Sequence, residues 1–247
     1  MKDDMTRREE TLFISDLHLS SQQPEVLALF LDFLGHRAPR AEALYILGDL
    51  FDAWIGDDDP APPATEVVTA LRVLSETGTG LYFAHGNRDF LIGQAFAEAS
   101  GVTLLPEPAC VDLYGTPTLL AHGDLFCTGD TLYQAFRRQV RQPGTILQFL
   151  TLPLTERRAM AAEYRRKSGE AAQTRREDII DVDPRAVQEA LRDHGARRLI
   201  HGHTHRPGRE DFELDGQPAS RWVLAEWRPG EGQALCVTPT DIISETV

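Results

Sequence analysis

The stretch Ala43-Leu44-Tyr45-Ile46-Leu47-Gly48-Asp49-Leu50-Phe51-Asp52 decides the fold of this chain. A short apolar run reads as a buried strand, and a glycine then opens onto carboxylates at the strand end. The same order recurs four times. Residues 11–15 lead into Asp16-Leu17-His18, 80–84 into His85-Gly86-Asn87-Arg88-Asp89, 118–121 into His122-Gly123-Asp124, and 198–200 into His201-Gly202-His203-Thr204-His205. Side chains at five strand ends serve one purpose only if those ends converge. Converged, they supply Asp, His and Asn donors in the number that two divalent cations sharing one carboxylate require, an arrangement that hydrolyses phosphate esters.

Each residue type suits such a site. Asp16 and His18 are two apart at a strand end, so their side chains project to one side. Carboxylate oxygen with imidazole nitrogen suits Mn²⁺, Fe²⁺ or Zn²⁺ better than Mg²⁺ alone. Asp49 follows a glycine that lets the backbone come close, and is the candidate bridging carboxylate. Asn87 adds a neutral amide oxygen. His122 and His203 offer nitrogen to a second ion, and His205 reaches back to the first. A lone Asp-x-His or Gly-His-x-His is weak evidence, but five such motifs in order are not. His85 and His201 read as groups that orient ligands, Asp52 and Asp124 as supporting or structural. Asp57-Asp58-Asp59 reads as a turn before Pro60, with Asp57 as a possible support.

Between the strands the spacing turns helical. Residues 24–35, 67–74, 91–100 (stopped by Gly101) and 187–191 are predicted helices, and 221–225 and 234–238 closing antiparallel strands. Strands alternating with helices, with polar residues at the strand ends, give an α/β layered fold whose site lies at one edge of the sheets. Residues 131–176 break the pattern. They show helical spacing, interrupted by Pro143-Gly144 and Pro153, and hold ten Lys or Arg against three Glu. That segment is +7 in a chain of −13, so the remainder carries −20. It reads as a helical cap that presents positive charge to an anionic substrate. Its apolar stretch 146–154 is read as packing, with a groove for acyl chains or a membrane contact as the other use.

Composition sets the bounds. A chain of 247 residues, 42% of them hydrophobic, suits one domain (1–247) with the cap (131–176) inserted. Net charge −13 argues against a nucleic-acid partner. Cys110, Cys127 and Cys236 lack paired spacing, which points to a reducing compartment, and Cys127 reads as a small buried hydrophobe. The charged N-terminus has no apolar signal segment, and no run reaches the ~18 apolar residues of a membrane span. The expectation is a cytoplasmic protein, or one resting on a membrane surface, with no obligate protein partner.

At these motifs the chain resembles the calcineurin-like metallophosphoesterases, whose pattern is D-x-H, G-D-x-x-D, G-N-H-[DE], H and G-H-x-H, over residues 11–205. Arg88 stands where that superfamily usually has His. With the stretch from Ile46 to Asp58 and that from His122 to Asp130, this makes the chain similar to the UDP-2,3-diacylglucosamine diphosphatase branch of lipid A biosynthesis, over nearly its whole length. The resemblance implies a four-layer α/β/β/α sandwich with a helical cap. It implies hydrolysis of UDP-2,3-diacylglucosamine at the α-phosphorus to UMP and 2,3-diacylglucosamine 1-phosphate (lipid X), with two Mn²⁺, on the cytoplasmic face of the bacterial inner membrane.

By motif, Asp16, His18, Asp49 and His205 would hold one ion, and Asp49, Asn87, His122 and His203 the other. Asp49, Asn87, Arg88 and His122 would be catalytic. Asn87, Arg88, Asp130, Ser168, Arg175 and His203 would contact substrate. Ala172 and Arg175 stand where the family often has Asn and Lys, and Leu224-Ala225-Glu226-Trp227 replaces Leu-Gly-Asp-Trp. Arg88 also has its own chemical sense. Phosphate monoester is a leaving group with a pKa of about 6–7, so it needs little protonation, and a fixed guanidinium that stabilises charge can replace an acid. The rivals are another dimetal nucleotide pyrophosphatase or phosphodiesterase, and a scaffold with a degenerate metal site.

Overall fold

The computed structural model describes residues 9–174 and 181–247, with 167–174 by backbone alone. Strands β1 (Thr11–Ile14), β2 (Ala43–Ile46), β3 (Gly80–Phe83) and β4 (Thr103–Leu104) run parallel in one sheet. Strands β10 (Gln233–Val237) and β11 (Ile242–Thr246) add antiparallel at the β1 edge. The register places Ile14 beside Ile46 and Ile46 beside Phe83. Three strands thus end in line, and the motifs that follow emerge at one edge.

A second sheet holds β5 (Ala109–Leu113), β6 (Thr116–Leu120), β7 (Arg198–His201), β9 (Gln217–Val223) and β8 (Gly208–Leu214), in that order. Strands β6, β7 and β9 are parallel, with Leu120 beside Ile200 and Ile200 beside Trp222. The expected strand at 221–225 is therefore earlier, and pairs parallel to β7 as well as antiparallel to β8. The strand expected at 234–238 lies in the other sheet, antiparallel to β1 and β11.

Strand alternation divides the core. Leu12, Ile14, Leu44 and Ile46 face helices α1 (Pro24–His36), α2 (Ala64–Glu76) and α3 (Gln94–Ser100). Phe13, Tyr45 and Leu47 face the second sheet, packing with Leu120, Ile200 and Trp222. Leu119 and Leu199 face Val187 and Leu191 of the helix Pro184–Asp193. Strands covered on both faces read as continuous apolar runs, which is why β1 and β2 are buried throughout. The layers are α/β/β/α, as the sequence implied. The third helix begins three residues later than expected, after Gly93. The Asp57 carboxylate accepts N–H groups there from Gly93 and Phe96, both at 3.0 Å, so Asp57 caps a helix rather than joining the site.

Between β6 and β7, before the helix Pro184–Asp193 (α7), the described residues form the helices α4 (Thr131–Val140), α5 (Pro143–Leu150) and α6 (Leu154–Thr174). Their arginines are largely turned onto the body. Arg137 and Arg141 meet Glu107 Oε2 at 2.8 and 2.7 Å. Arg157 donates to the Ile55 carbonyl at 2.8 Å and to Asp58, Arg158 pairs with Asp59, and Arg165 with Asp52. The positive charge expected to face a substrate is in these positions matched to acidic groups of the body. A buried guanidinium needs a partner, and −20 on the body supplies one. Asp58 and Asp59 thus dock the inserted helices. In the stretch 146–154, Ile146 and Phe149 pack on the core, whereas Leu147 stays exposed.

Candidate metal centre

The strained backbone marks the site. Seven non-glycine residues in the described chain have positive φ, and five are Asp16, His18, Asp49, His203 and His205. Left-handed backbone is uncommon outside glycine, although Asp and His tolerate it better than most, and it persists where surrounding structure imposes it, commonly at functional sites. Gly48 and Gly86 allow the loops to meet. A Cβ on Gly48 would lie 2.5 Å from Gly86 Cα, so neither loop could hold Asp49 against Asn87 with larger residues.

Two groups of donors face each other. Asp16 Oδ1 lies 3.3 Å from His205 Nε2, which is 3.5 Å from His18 Nε2. Across the cleft, His122 Nε2 lies 2.9 Å from Asn87 Oδ1 and 3.2 Å from His203 Nδ1. Asp49 Oδ2 stands between them, 3.8 Å from His18 Nδ1 and 3.7 Å from His122 Nε2. All seven predicted ligands are thus brought together. Asp16 with His18 and His205, and Asp16 with Asp49 and His122, each place ligand atoms within 4.8 Å of one another. Asp16, not Asp49, is common to those two triads, although Asp49 has the more central oxygen.

The donor set fits a cation. Asp16 Oδ1 and His18 Nδ1 are buried without hydrogen-bond partners, a costly state unless something positive meets them. Fully buried His122 has Nδ1 2.9 Å from the Leu47 carbonyl. An N–H there leaves Nε2 as the lone-pair nitrogen facing the cleft. Burial holds His18 and His203 neutral, lowering each to about 3. Burial raises Asp49 to about 7. Burial also opposes charge on His122, but Asp49, Asp16 and Asp124 outweigh it and lift it to about 9. Neutral His18 and His203 keep lone pairs available to a cation, and a cation beside Asp49 would favour its ionised form.

Other sequence candidates find definite places. Arg88, one-third exposed, has Nε 3.7 Å from Asp49 Oδ2 and Nη1 3.4 Å from Asp52. Asp130 is buried and caps α4, accepting the Tyr133 N–H at 3.0 Å. The Ser168 side chain and Arg175 lie outside the described residues. His85 faces the Ile92 carbonyl at 2.7 Å. Buried His201 has Nδ1 2.8 Å from the Gly202 carbonyl, and burial lowers it to about 4. Cys127 is buried, which pushes its thiol up to about 12 and makes it inert.

Asp89 and Glu226, which the sequence reading named without a role, and Tyr133, which it did not name, support the site. Fully buried Asp89 gathers the N–H groups of Gly86 and Leu50 at 2.9 and 2.7 Å. Glu226 Oε1 lies 3.2 Å from His205 Nδ1, so the Ala225-Glu226 variation still sets a carboxylate behind that imidazole. Tyr133 stacks on His203 at 6.3 Å and donates to Asp124 at 2.5 Å. Asp124, expected as a structural group, also accepts Arg137 Nε at 2.8 Å. The capping pattern Asp130-x-x-Tyr133 was the one visible signal for Tyr133.

Comparison with known proteins agrees with this geometry. The calcineurin-like phosphoesterase family model matches residues 10–207. The UDP-2,3-diacylglucosamine hydrolase of Aeromonas hydrophila is 51% identical over 230 residues, covering 90% of this chain and 95% of its own. That of Pseudomonas paraeruginosa is 53% identical, covering 87% and 90%, and that of Salmonella typhi 50%, covering 94% and 96%. The chain belongs to the calcineurin-like phosphoesterase family, and within it groups with the UDP-2,3-diacylglucosamine hydrolases.

Proposed function

We propose that this chain hydrolyses the pyrophosphate of UDP-2,3-diacylglucosamine at the α-phosphorus, giving UMP and 2,3-diacylglucosamine 1-phosphate (lipid X) in lipid A biosynthesis. The observation that carries the reading is the pairing of a mixed carboxylate–imidazole cleft with Arg88 at its mouth, in a chain about half identical to hydrolases of that name.

Two Mn²⁺ would be held here, one by Asp16, His18, Asp49 and His205, the other by Asp49, Asn87, His122 and His203. The position of Asp49 Oδ2 midway between His18 and His122 supports the bridge. When bound, such ions polarise phosphate oxygens and activate water. The chain's own residues do the rest. Arg88 swings from Asp49 and Asp52 to the diphosphate, and its permanent charge stabilises the departing sugar phosphate. Asn87 and His203 line the place of the attacked phosphorus. Burial of His122 keeps bulk water from its side of the cleft. Asp130, Ser168 and Arg175 are proposed substrate contacts.

Helices α4–α6 form the cap for the diacyl sugar. Six of the eight exposed large hydrophobics in the described residues lie there: Leu132, Phe136, Leu147, Leu150, Met160 and Tyr164. Apolar side chains exposed together on the cap support a lipid-handling face. No helix in the described residues is long and apolar enough to cross a membrane. The proposed location is therefore peripheral, on the cytoplasmic face of the bacterial inner membrane, where the substrate's chains reside. The test is mass spectrometry of products from UDP-2,3-diacylglucosamine in H₂¹⁸O, with and without Mn²⁺. Label in UMP is expected. Label in the sugar phosphate refutes α-attack, and release of UDP refutes pyrophosphate cleavage.

A further inference from the structure

Strand β7 carries function at one end and an unexplained arginine at the other. His201 closes the strand at the metal edge, whereas Arg198 opens it. Alternation puts Arg198 on the same side as Ile200, which faces the space between the two sheets. Arg209 on β8 is opposite Trp222 in the register, and so shares that side. Where the sheets part, a cavity of about 310 Å³ is lined by Arg198, Arg209, Thr116, Thr238, Thr240 and Asp241, among others.

The charges there do not close. Half-buried Arg198 has a buried Nε without a hydrogen-bond partner, and no carboxylate among the described residues pairs with it. Its charge is disfavoured by burial and by Arg209. The two nearby acids bond to neighbours of Arg198 and not to Arg198 itself. Asp211 takes Arg209 Nε at 2.8 Å, and Asp241 takes the Thr240 hydroxyl at 3.0 Å. Arg209 stacks on Trp222 at 5.0 Å, whose indole N–H is also buried without a partner. A buried guanidinium without a counter-charge is strongly unfavourable, and its fork of donors matches a phosphate.

We infer that this cavity between the sheets, at the opposite end of β7 from the metal centre, binds a small phosphate-bearing anion through Arg198, with Arg209 and the Thr116 hydroxyl completing the cradle. The volume admits inorganic phosphate or a small phosphate monoester. Neither arginine belongs to the proposed reaction, so the site stands or falls apart from it.

The test titrates the full-length, metal-loaded chain and its Arg198→Gln and Arg209→Gln variants by calorimetry. The ligands are inorganic phosphate and glycerol 3-phosphate, at ionic strength held constant with chloride. Wild type should show a binding event that weakens roughly tenfold or more in both variants, the effect of losing one charge-assisted contact. Turnover should stay unchanged. Tighter binding of phosphate identifies the free ion, and tighter binding of glycerol 3-phosphate an esterified one. Arg198→Gln removes a repulsion and should fold; if it does not, exposed Arg209→Gln decides. Equal stoichiometry and affinity in wild type and variants overturns the inference. So does a tungstate soak of wild-type crystals with density at the metal edge alone.

Discussion

Asp89 accepts the Leu50 N–H at 2.7 Å, and by this bond the loop after β3 holds the loop after β2. Its other oxygen takes the Gly86 N–H at 2.9 Å. The carboxylate is fully buried, so removing it strands several N–H groups at once. Asp89→Ala should cost about 2–3 kcal/mol of stability, the scale of buried donors left unpaired. Urea unfolding measures this. A variant as stable as wild type would mean that water replaces the carboxylate.

The central place of Asp49 Oδ2 makes a separable prediction about metal. Asp49→Ala should lose most bound metal and activity, while His205→Ala should deplete mainly one ion of the pair. Metal content by mass spectrometry of the purified proteins decides. Two retained ions with near-normal turnover in Asp49→Ala would remove it as the bridge.

Arg88 should matter to rate and not to metal. A guanidinium cannot ligate a cation, so Arg88→Ala keeps its metal but loses roughly 10² or more in kcat/KM, the scale for one charge-stabilising donor. Arg88→His should not restore the diphosphate reaction, and should favour an aryl phosphate with a poor leaving group. Wild-type rates in Arg88→Ala would show that the side chain stays with Asp52.

The exposed apolar face of α4–α6 predicts that acyl chains carry binding. Each buried CH₂ contributes about 0.8 kcal/mol, so UDP-glucosamine without chains should show a KM raised by orders of magnitude. Equal turnover of both substrates would leave the cap structural.

Acid should destabilise the chelator-treated protein. His18 and His203 are held at about 3 by burial, and His201 at about 4, against about 6.5 in the unfolded chain. Below that value the unfolded chain takes up protons that the folded one refuses, so stability falls as pH drops from about 6.5 toward 3. His122 works oppositely: raised to about 9, it contributes stability below about 6.5 that is lost on going up to 9. Asp49, raised to about 7 by burial, and His205, raised by Asp16 against its burial, also lose stability as pH rises, so they offset part of the three lowered histidines. The net remains a loss toward acid, read as a lower urea midpoint at pH 5 than at pH 7.

Much of this was legible in the chain itself. Apolar runs of four or five residues ending in Asp, Asn or His located β1, β2, β3, β6 and β7 and the seven convergent donors, because strand burial and metal ligation both leave local patterns. Strands β4, β5, β8 and β11 escaped, since β4 has two residues and β8 and β11 are mostly exposed edge strands without an apolar rhythm. Charge was legible as composition but not as contact. Ten basic residues in 131–176 read as a face for an anion, and only the folded chain shows Arg137, Arg141, Arg157, Arg158 and Arg165 spent on Asp124, Glu107, Asp58, Asp59 and Asp52. Ion pairs join residues about a hundred positions apart, as Arg157 and Asp58 do, and no local pattern records that. The same holds for Glu226 behind His205 and for Arg198 left without a carboxylate. Which donors exist is written in the residues; which of them meet, and which are left unmatched, is decided where the two sheets and their flanking helices close on one another.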